Sequence, residues 1–357
     1  RVEDPVYGDG LLHIFSLRTN YGSYRINGNA FVAARILELR ALASLNEASQ
    51  SETFVDAAVK SGLSPVEFAG NAVKNPVGTV VNTVSGLGGL FGRIASGVTN
   101  PGASEEGLIA DVAGVSAAKR AIAAKLGVDP YTDFEPLDNK LTQVARATAL
   151  GGLGVKVALT AIPGVAGTAI SGVSTAGSVT NLIRDKTPAQ LLDLNRSRLK
   201  SMGVGRKTIK RFLKNERLTP SDQTVIVAAL SQLSGVRNRA IFVQRAAGAD
   251  TRELVFVHRA RAEMLARHHK SVGKLGDFIS VKGLVFNRTR DGQVLGVVPL
   301  DLFAWTELAG GALQVVTQEL KRKKMMNGGE LRISGRATPL ARKMAEALGW
   351  RVVEGIR

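Results

Sequence analysis

Gly276-Asp277-Phe278-Ile279-Ser280-Val281, running on to Phe286, and Val294-Leu295-Gly296-Val297-Val298-Pro299-Leu300, joined across Asp291-Gly292, mark the point where the texture of this chain changes. Apolar and β-branched residues on both sides of an Asp-Gly pair predict two paired strands, because those two residues tolerate the backbone of a tight hairpin turn. Downstream, the pattern predicts a helix over 306–321, a strand over 330–334, a helix over 338–348 and a strand over 351–353. Helix and strand alternating in this order predict a small C-terminal α/β module over 273–357.

Working back from that module, the chain reads as helix. Thr219-Pro220-Ser221-Asp222-Gln223 is a helix start, with a hydroxyl at the cap and proline in the first turn. Further helices are expected from Thr187-Pro188 with Leu191, Leu192, Leu194 and Leu199, over 238–247, and over 251–269. They make a basic helical domain spanning 184–272. The remaining domain, 1–183, begins with a β-hairpin over 10–27 that turns near Asn20-Tyr21-Gly22-Ser23. Helices follow over 29–45, from a cap at Ser51 to Lys60, over 108–126 and over 137–150. The fold class expected is mainly α, with an N-terminal β-hairpin and the C-terminal α/β module.

Two stretches of the first domain carry apolar faces of another kind. Val73, Val77, Val80, Val84, Leu87, Phe91, Ile94 and Val98 recur at alternating spacings of four and three, a helical stripe. The same stretch holds Pro76 and many glycines, each costing about 1 kcal/mol of helix propensity. Such a helix needs a surface to hold it, either inside the protein or at a membrane interface. Residues 157–183 contain no charge, yet Pro163, the glycines and the Ser/Thr content argue against a membrane-spanning helix. Leu87, Leu90, Phe91 and Ile94 are the candidate apolar contact.

Charge divides the chain. Residues 1–180 carry a net of −1 and residues 181–357 a net of +18, so the whole excess of +17 lies in the second half. A basic half of this kind is expected to meet an anionic partner. There is no cysteine, which excludes disulfides, thiol catalysis and Cys-based metal centres. The chain opens on Arg1 rather than Met, which fits a product whose signal peptide has been removed, or a trimmed chain.

The run Ala118-Lys119-Arg120 through Leu126-Gly127-Val128-Asp129-Pro130-Tyr131-Thr132 resembles an uncharacterised family of bacterial proteins expected to be exported. So do Tyr21-Gly22-Ser23-Tyr24 with Ala34-Arg35-Ile36-Leu37-Glu38, Leu218-Thr219-Pro220-Ser221-Asp222-Gln223-Thr224, and Ser334-Gly335-Arg336-Ala337-Thr338-Pro339-Leu340 with Leu348-Gly349-Trp350. The resemblance implies an envelope location, periplasmic or at the outer membrane, and no activity, cofactor or site residue.

Candidate chemistry is correspondingly sparse. No Walker loop, Gly-x-Ser-x-Gly elbow or His-Glu-x-x-His is present, so no enzyme class is favoured and no cofactor is expected. His258 and His269 share a face of the 251–269 helix, but the cations around them suggest a solvated basic helix rather than a metal site. Lys321-Arg322-Lys323-Lys324 ends a helix and is the candidate contact for an anionic partner: anionic lipid, lipopolysaccharide or an acidic envelope protein. Gly203-Val204-Gly205 followed by Arg206, Lys207, Lys210 and Arg211 resembles the glycine turn of a helix-hairpin-helix module. It offers an alternative, nucleic-acid phosphate held at a helix N-terminus. A plain helix end followed by a new helix accounts for the same glycines. The expected function is thus a non-enzymatic envelope protein, with nucleic-acid binding as the alternative.

Overall fold

The structure, a computed structural model, describes residues 2–61, 105–152, 176–289 and 291–356. It is mainly α, with twelve helices among the described residues and an N-terminal three-stranded antiparallel sheet. The 73–98 stripe lies outside the described residues, and so does most of the uncharged 157–183 stretch. Among the described residues no helix is long and apolar enough to cross a membrane.

The chain divides into two compact units. One comprises 1–19, 23–33 and 192–357; the other comprises 20–22 and 34–191. In the second unit, the later part of α1 (Asn29–Ala48) is joined by α2 (Glu52–Lys60), α3 (Glu105–Leu126), α4 (Glu135–Ala149) and α5 (Ala176–Asp185). Phe54 of α2, Ile122 and Ala123 of α3, and Leu137, Leu141 and Val144 of α4 are fully buried and supply its apolar interior. Ser51 precedes α2 as expected, but its hydroxyl donates back to the Ala48 carbonyl at 3.0 Å and caps nothing.

The first unit begins with β1 (Tyr7–Gly8), β2 (His13–Thr19) and β3 (Gly22–Asn27) in spatial order. Its helices are α6 (Pro188–Ser201), α7 (Arg206–Leu213), α8 (Pro220–Ser231), α9 (Ala240–Ala246) and α10 (Arg252–Ser271). A mixed sheet follows, built from β4 (Asp277–Val281), β5 (Leu284–Arg288), β6 (Gln293–Val298), β8 (Gly328–Ile333) and β10 (Trp350–Val353). The short strands β7 (Leu302–Phe303) and β9 (Arg336–Ala337) pair separately, while α11 (Glu307–Arg322) and α12 (Pro339–Leu348) connect β7 to β8 and β9 to β10. The order β10-β8-β6-β5-β4 is parallel from β10 through β6 and antiparallel from β6 through β4.

Two expectations are altered. The segment 276–286 is itself a hairpin, turning at Lys282 and Gly283 with φ of 51° and 79°. Lysine is an unusual residue in that backbone region, which hid the turn. The boundary drawn at residue 272 does not separate two cores either. Leu199, Phe212, Ile226 and Leu265 of the helices share one apolar cluster with Phe278, Val285, Leu295 and Val297 of the sheet.

α8 is the centre of this unit, with every residue from Pro220 to Leu230 buried. A helix enclosed on all sides must satisfy its polar groups internally. Thr219 and Asp222 form a reciprocal cap: the Asp222 N–H donates to Thr219 Oγ1 at 3.1 Å, and the Thr219 N–H donates to Asp222 Oδ2 at 3.1 Å. Arg252 Nη1 reaches the same carboxylate at 2.7 Å and Arg259 Nη1 at 3.3 Å. Burial pushes the Asp222 carboxyl up, but the two guanidiniums and the cap outweigh it and hold it below the usual carboxylate range.

A second polar anchor ties the β1–β3 sheet to residues far along the sequence. Asp301, buried, accepts the His13 N–H at 3.0 Å and the Asn29 N–H at 2.9 Å on one oxygen. Its own N–H donates to the Leu11 carbonyl at 3.0 Å. Gly335 lies so close that a Cβ there would sit 1.8 Å from the Asp301 carbonyl oxygen, so no other residue fits.

Candidate phosphate-binding surface

α6 and α7 meet through Met202-Gly203-Val204-Gly205. Gly203 closes α6 with φ +77°, and the Val204 N–H donates to the Leu199 carbonyl at 3.0 Å. Gly205 takes the extended N-cap position of α7, and its carbonyl accepts the Ile209 N–H at 3.0 Å. Having no side chain, it leaves the first-turn N–H groups of α7 without a side-chain cap. Leu199, Val204, Ile209, Phe212 and Leu213 turn inward to the core. The charged side chains of α7 and its C-cap are all cationic: Arg206, Lys207, Lys210, Arg211 and Lys214 are exposed.

Lys207, Lys210, Arg211 and Lys214 form one side of a shallow groove of about 490 Å³, with Asn215 and Ala247 opposite. Asn215 fixes that wall by donating from Nδ2 to the carbonyls of Ala247 at 3.3 Å and Ala249 at 2.8 Å. Arg211 lies along Gly248, where an added Cβ would be 3.3 Å from its Nη2. Among the described residues, no carboxylate forms an ion pair with any of the five cations. Arg206 and Lys207 stand in the first turn, the positive end of the helix dipole, where cations are unfavourable and an anion is favoured.

Lys321, Arg322, Lys323 and Lys324 are arranged differently. Glu319, on the preceding turn of α11, pairs with Arg322 Nη2 at 2.8 Å and Lys323 Nζ at 3.0 Å. Hydrogen bonds from Arg322 and then Lys323 pull its carboxyl down to about 2. Two of the four cations thereby share one counter-charge inside the chain, at the end of a helix where cations are already favoured. Lys321 and Lys324 are exposed and take part in no ion pair among the described residues. The candidate apolar contacts Leu87, Leu90, Phe91 and Ile94 lie outside the described residues.

The histidines of α10 are not on a solvated face. His258 is buried against Phe242, ring centroids 6.0 Å apart, and burial, with Arg261 and Arg245, lowers it to about 4. His268 is likewise lowered to about 4 by burial and by Arg332, whose Nη1 lies 2.9 Å from its Nδ1. His269 accepts the Leu275 N–H on Nδ1 at 3.1 Å. All three are neutral near pH 7, so the positive charge of this half comes from Lys and Arg. Among the described residues no group of three or more His, Asp or Glu side chains is gathered as a metal site would be.

Two buried acidic sites had no clear signal in the sequence. The helix start at Thr219 was legible, but not the convergence of Arg252 and Arg259 on Asp222. In the other unit, Glu38 is enclosed by Thr132, which donates to it, and by Arg35, 3.2 Å away. Arg35 also lies 3.8 Å from Asp133 and 4.2 Å above the Phe134 ring. Burial pushes the Glu38 carboxyl up to about 7, against the pull of Arg35 and Thr132.

Comparison with known proteins adds no relative to this geometry: no protein-family model, no curated protein and no solved structure matches the chain.

Proposed function

We propose that this protein is a non-catalytic nucleic-acid-binding protein that grips the phosphate backbone with the α6–turn–α7 pair. The observation that carries the reading is the row of five exposed cations from Arg206 to Lys214, none in an ion pair among the described residues and two of them at the positive end of the helix. Such a row is electrostatically unsatisfied until an anion arrives, and it has the linear form of a phosphodiester track. Every large apolar side chain of α7 is turned into the core, so nothing on this face inserts between lipid chains. That favours a phosphate polymer over a membrane surface here. With no aromatic side chain lining the groove among the described residues, contact is to backbone rather than to stacked bases.

The test is fluorescence anisotropy with a labelled DNA duplex over a salt series, beside co-sedimentation with neutral and anionic vesicles. About three to five phosphate contacts give a log K against log salt slope of roughly −2.7 to −4.5. Lys207→Glu with Lys210→Glu should weaken duplex binding at least tenfold and leave the thermal melt unchanged. Salt-sensitive binding to anionic vesicles without duplex binding would overturn the reading. It would favour instead an envelope protein that meets anionic lipid or lipopolysaccharide through Lys321 and Lys324.

A further inference from the structure

Away from the basic groove, α11 presents a face that nothing among the described residues covers. Leu308 is 72 % exposed and Val315 47 % exposed, one on each side of Gly311 and Ala312. These positions, spaced three and four apart, form one apolar stripe. Beside the stripe runs a groove of about 770 Å³, walled on its far side by Lys282 and Leu284 of the β4–β5 turn. Gly311 is instructive. A Cβ there would meet nothing within 4 Å, whereas one at neighbouring Gly310 would strike Trp305 at 2.7 Å. Gly310 is therefore required by internal packing and Gly311 is not. A mid-helix glycine costs about 1 kcal/mol against alanine, and among the described residues no contact offsets that at Gly311. What a bare backbone at this point does allow is close approach from outside.

The charges along the helix say what fits. Asp9 and Glu307 lie at the start of α11, and Lys321 and Lys324 at its end. We propose that this face is the contact between two copies of the chain, with their α11 helices antiparallel about a two-fold axis crossing between Gly311 and Ala312. Such an axis sets Leu308 against Val315 of the second copy in both directions, as an isologous interface requires. It places the small pair at the crossing point, where helix axes come within about 8 Å. Lys321 stands about 14 Å from the axis along the helix and Glu307 about 7 Å, at 1.5 Å per residue. The basic end of each copy is thereby brought alongside the acidic end of the other, a long-range attraction between the ends rather than a direct ion pair. A single helix face with one groove wall is smaller than a standard stable interface, so the dimer is expected to be weak, micromolar or above.

Sedimentation velocity of the full chain over a concentration series tests this. The expected result is a reversible monomer–dimer equilibrium. Gly311→Gln occupies open space in the monomer and improves helix propensity, so it should keep or raise the melting temperature while weakening the dimer at least tenfold. Glu307→Lys should weaken it too, and Glu307→Lys combined with Lys321→Glu should restore it. A chain that stays monomeric up to about 0.5 mM, well above the weak-interface range, would overturn the proposal. So would a dimer indifferent to Gly311→Gln.

Discussion

Asp222 and Glu38 are both carboxylates taken out of water, one in each unit, and they titrate in opposite directions. Burial raises both. Asp222 meets two guanidiniums and the donors of its own helix cap, and it is held low. Glu38 meets one guanidinium, which it shares with Asp133, and one hydroxyl; Asp133 and Asp129 add like charge, and it is pushed up to about 7. The difference teaches that depth alone does not set the state of a buried acid. The number of donors gathered around it does. The contrast extends to the histidines of the first unit, which burial and neighbouring cations drive down.

Removing the acid tests the comparison most severely. Asp222→Ala leaves Arg252 and Arg259 without their buried partner and should cost the first unit about 3–5 kcal/mol in urea unfolding. A loss below about 1 kcal/mol would mean that the cluster is solvated and the contrast empty.

Acidity should then separate the units. For a histidine whose folded pKa lies near 4 against about 6.5 unfolded, stability is fully present above 6.5 and falls as pH drops towards 4. His258 should contribute on the order of 3 kcal/mol to that loss. For Glu38, raised to about 7 against about 4.5 unfolded, stability is fully present below 4.5 and falls as pH rises to 7. Between these limits the two groups act with opposite sign. Glu263, also raised by burial, works against His258 within the first unit. The clean reading is therefore the difference between the wild-type chain and His258→Leu, followed by peptide-resolved hydrogen exchange at pH 5 and 7. A difference that does not change with pH would break the comparison.

Smaller changes sharpen it. Glu38→Gln should leave the second unit about as stable at pH 5 and raise its stability by about 1–2 kcal/mol at pH 8, where the native carboxylate is charged. Exchange in residues 34–48 and 128–149 reads this directly. Asp301→Ala strands the His13 and Asn29 N–H groups and should cost about 1–3 kcal/mol, with faster exchange in 11–30 ahead of the rest of the unit.

Much of this architecture is written locally. The helix starts at Thr219, Thr306 and Thr338 each accept an N–H from the third residue on, and each could be read from a hydroxyl at the right offset. The cation row after Gly205 was equally plain, and so was its helix. What local reading missed depends on distant residues. Nothing near Asp222 announces Arg252 and Arg259, and nothing near Glu38 announces Thr132. The β4–β5 turn was hidden because a lysine occupies a backbone region that Gly or Asn usually takes. The run 321–324 shows a subtler limit. Its charge was legible, but only Glu319 one turn back determines that two of its cations are already engaged.

The Asp301 anchor carries a consequence for how the chain is made. Its bonds to His13 and Asn29 span 288 and 272 residues. At about 5–20 residues per second, the ribosome exposes the first strands for tens of seconds before the carboxylate that secures them has been synthesised. The β2–β3 hairpin is therefore secured only by a residue made almost 300 positions later. A message broken before the codon for Asp301 would release a chain whose β2–β3 hairpin lacks that carboxylate to dock on, leaving an unpaired edge open to aggregation or to proteases.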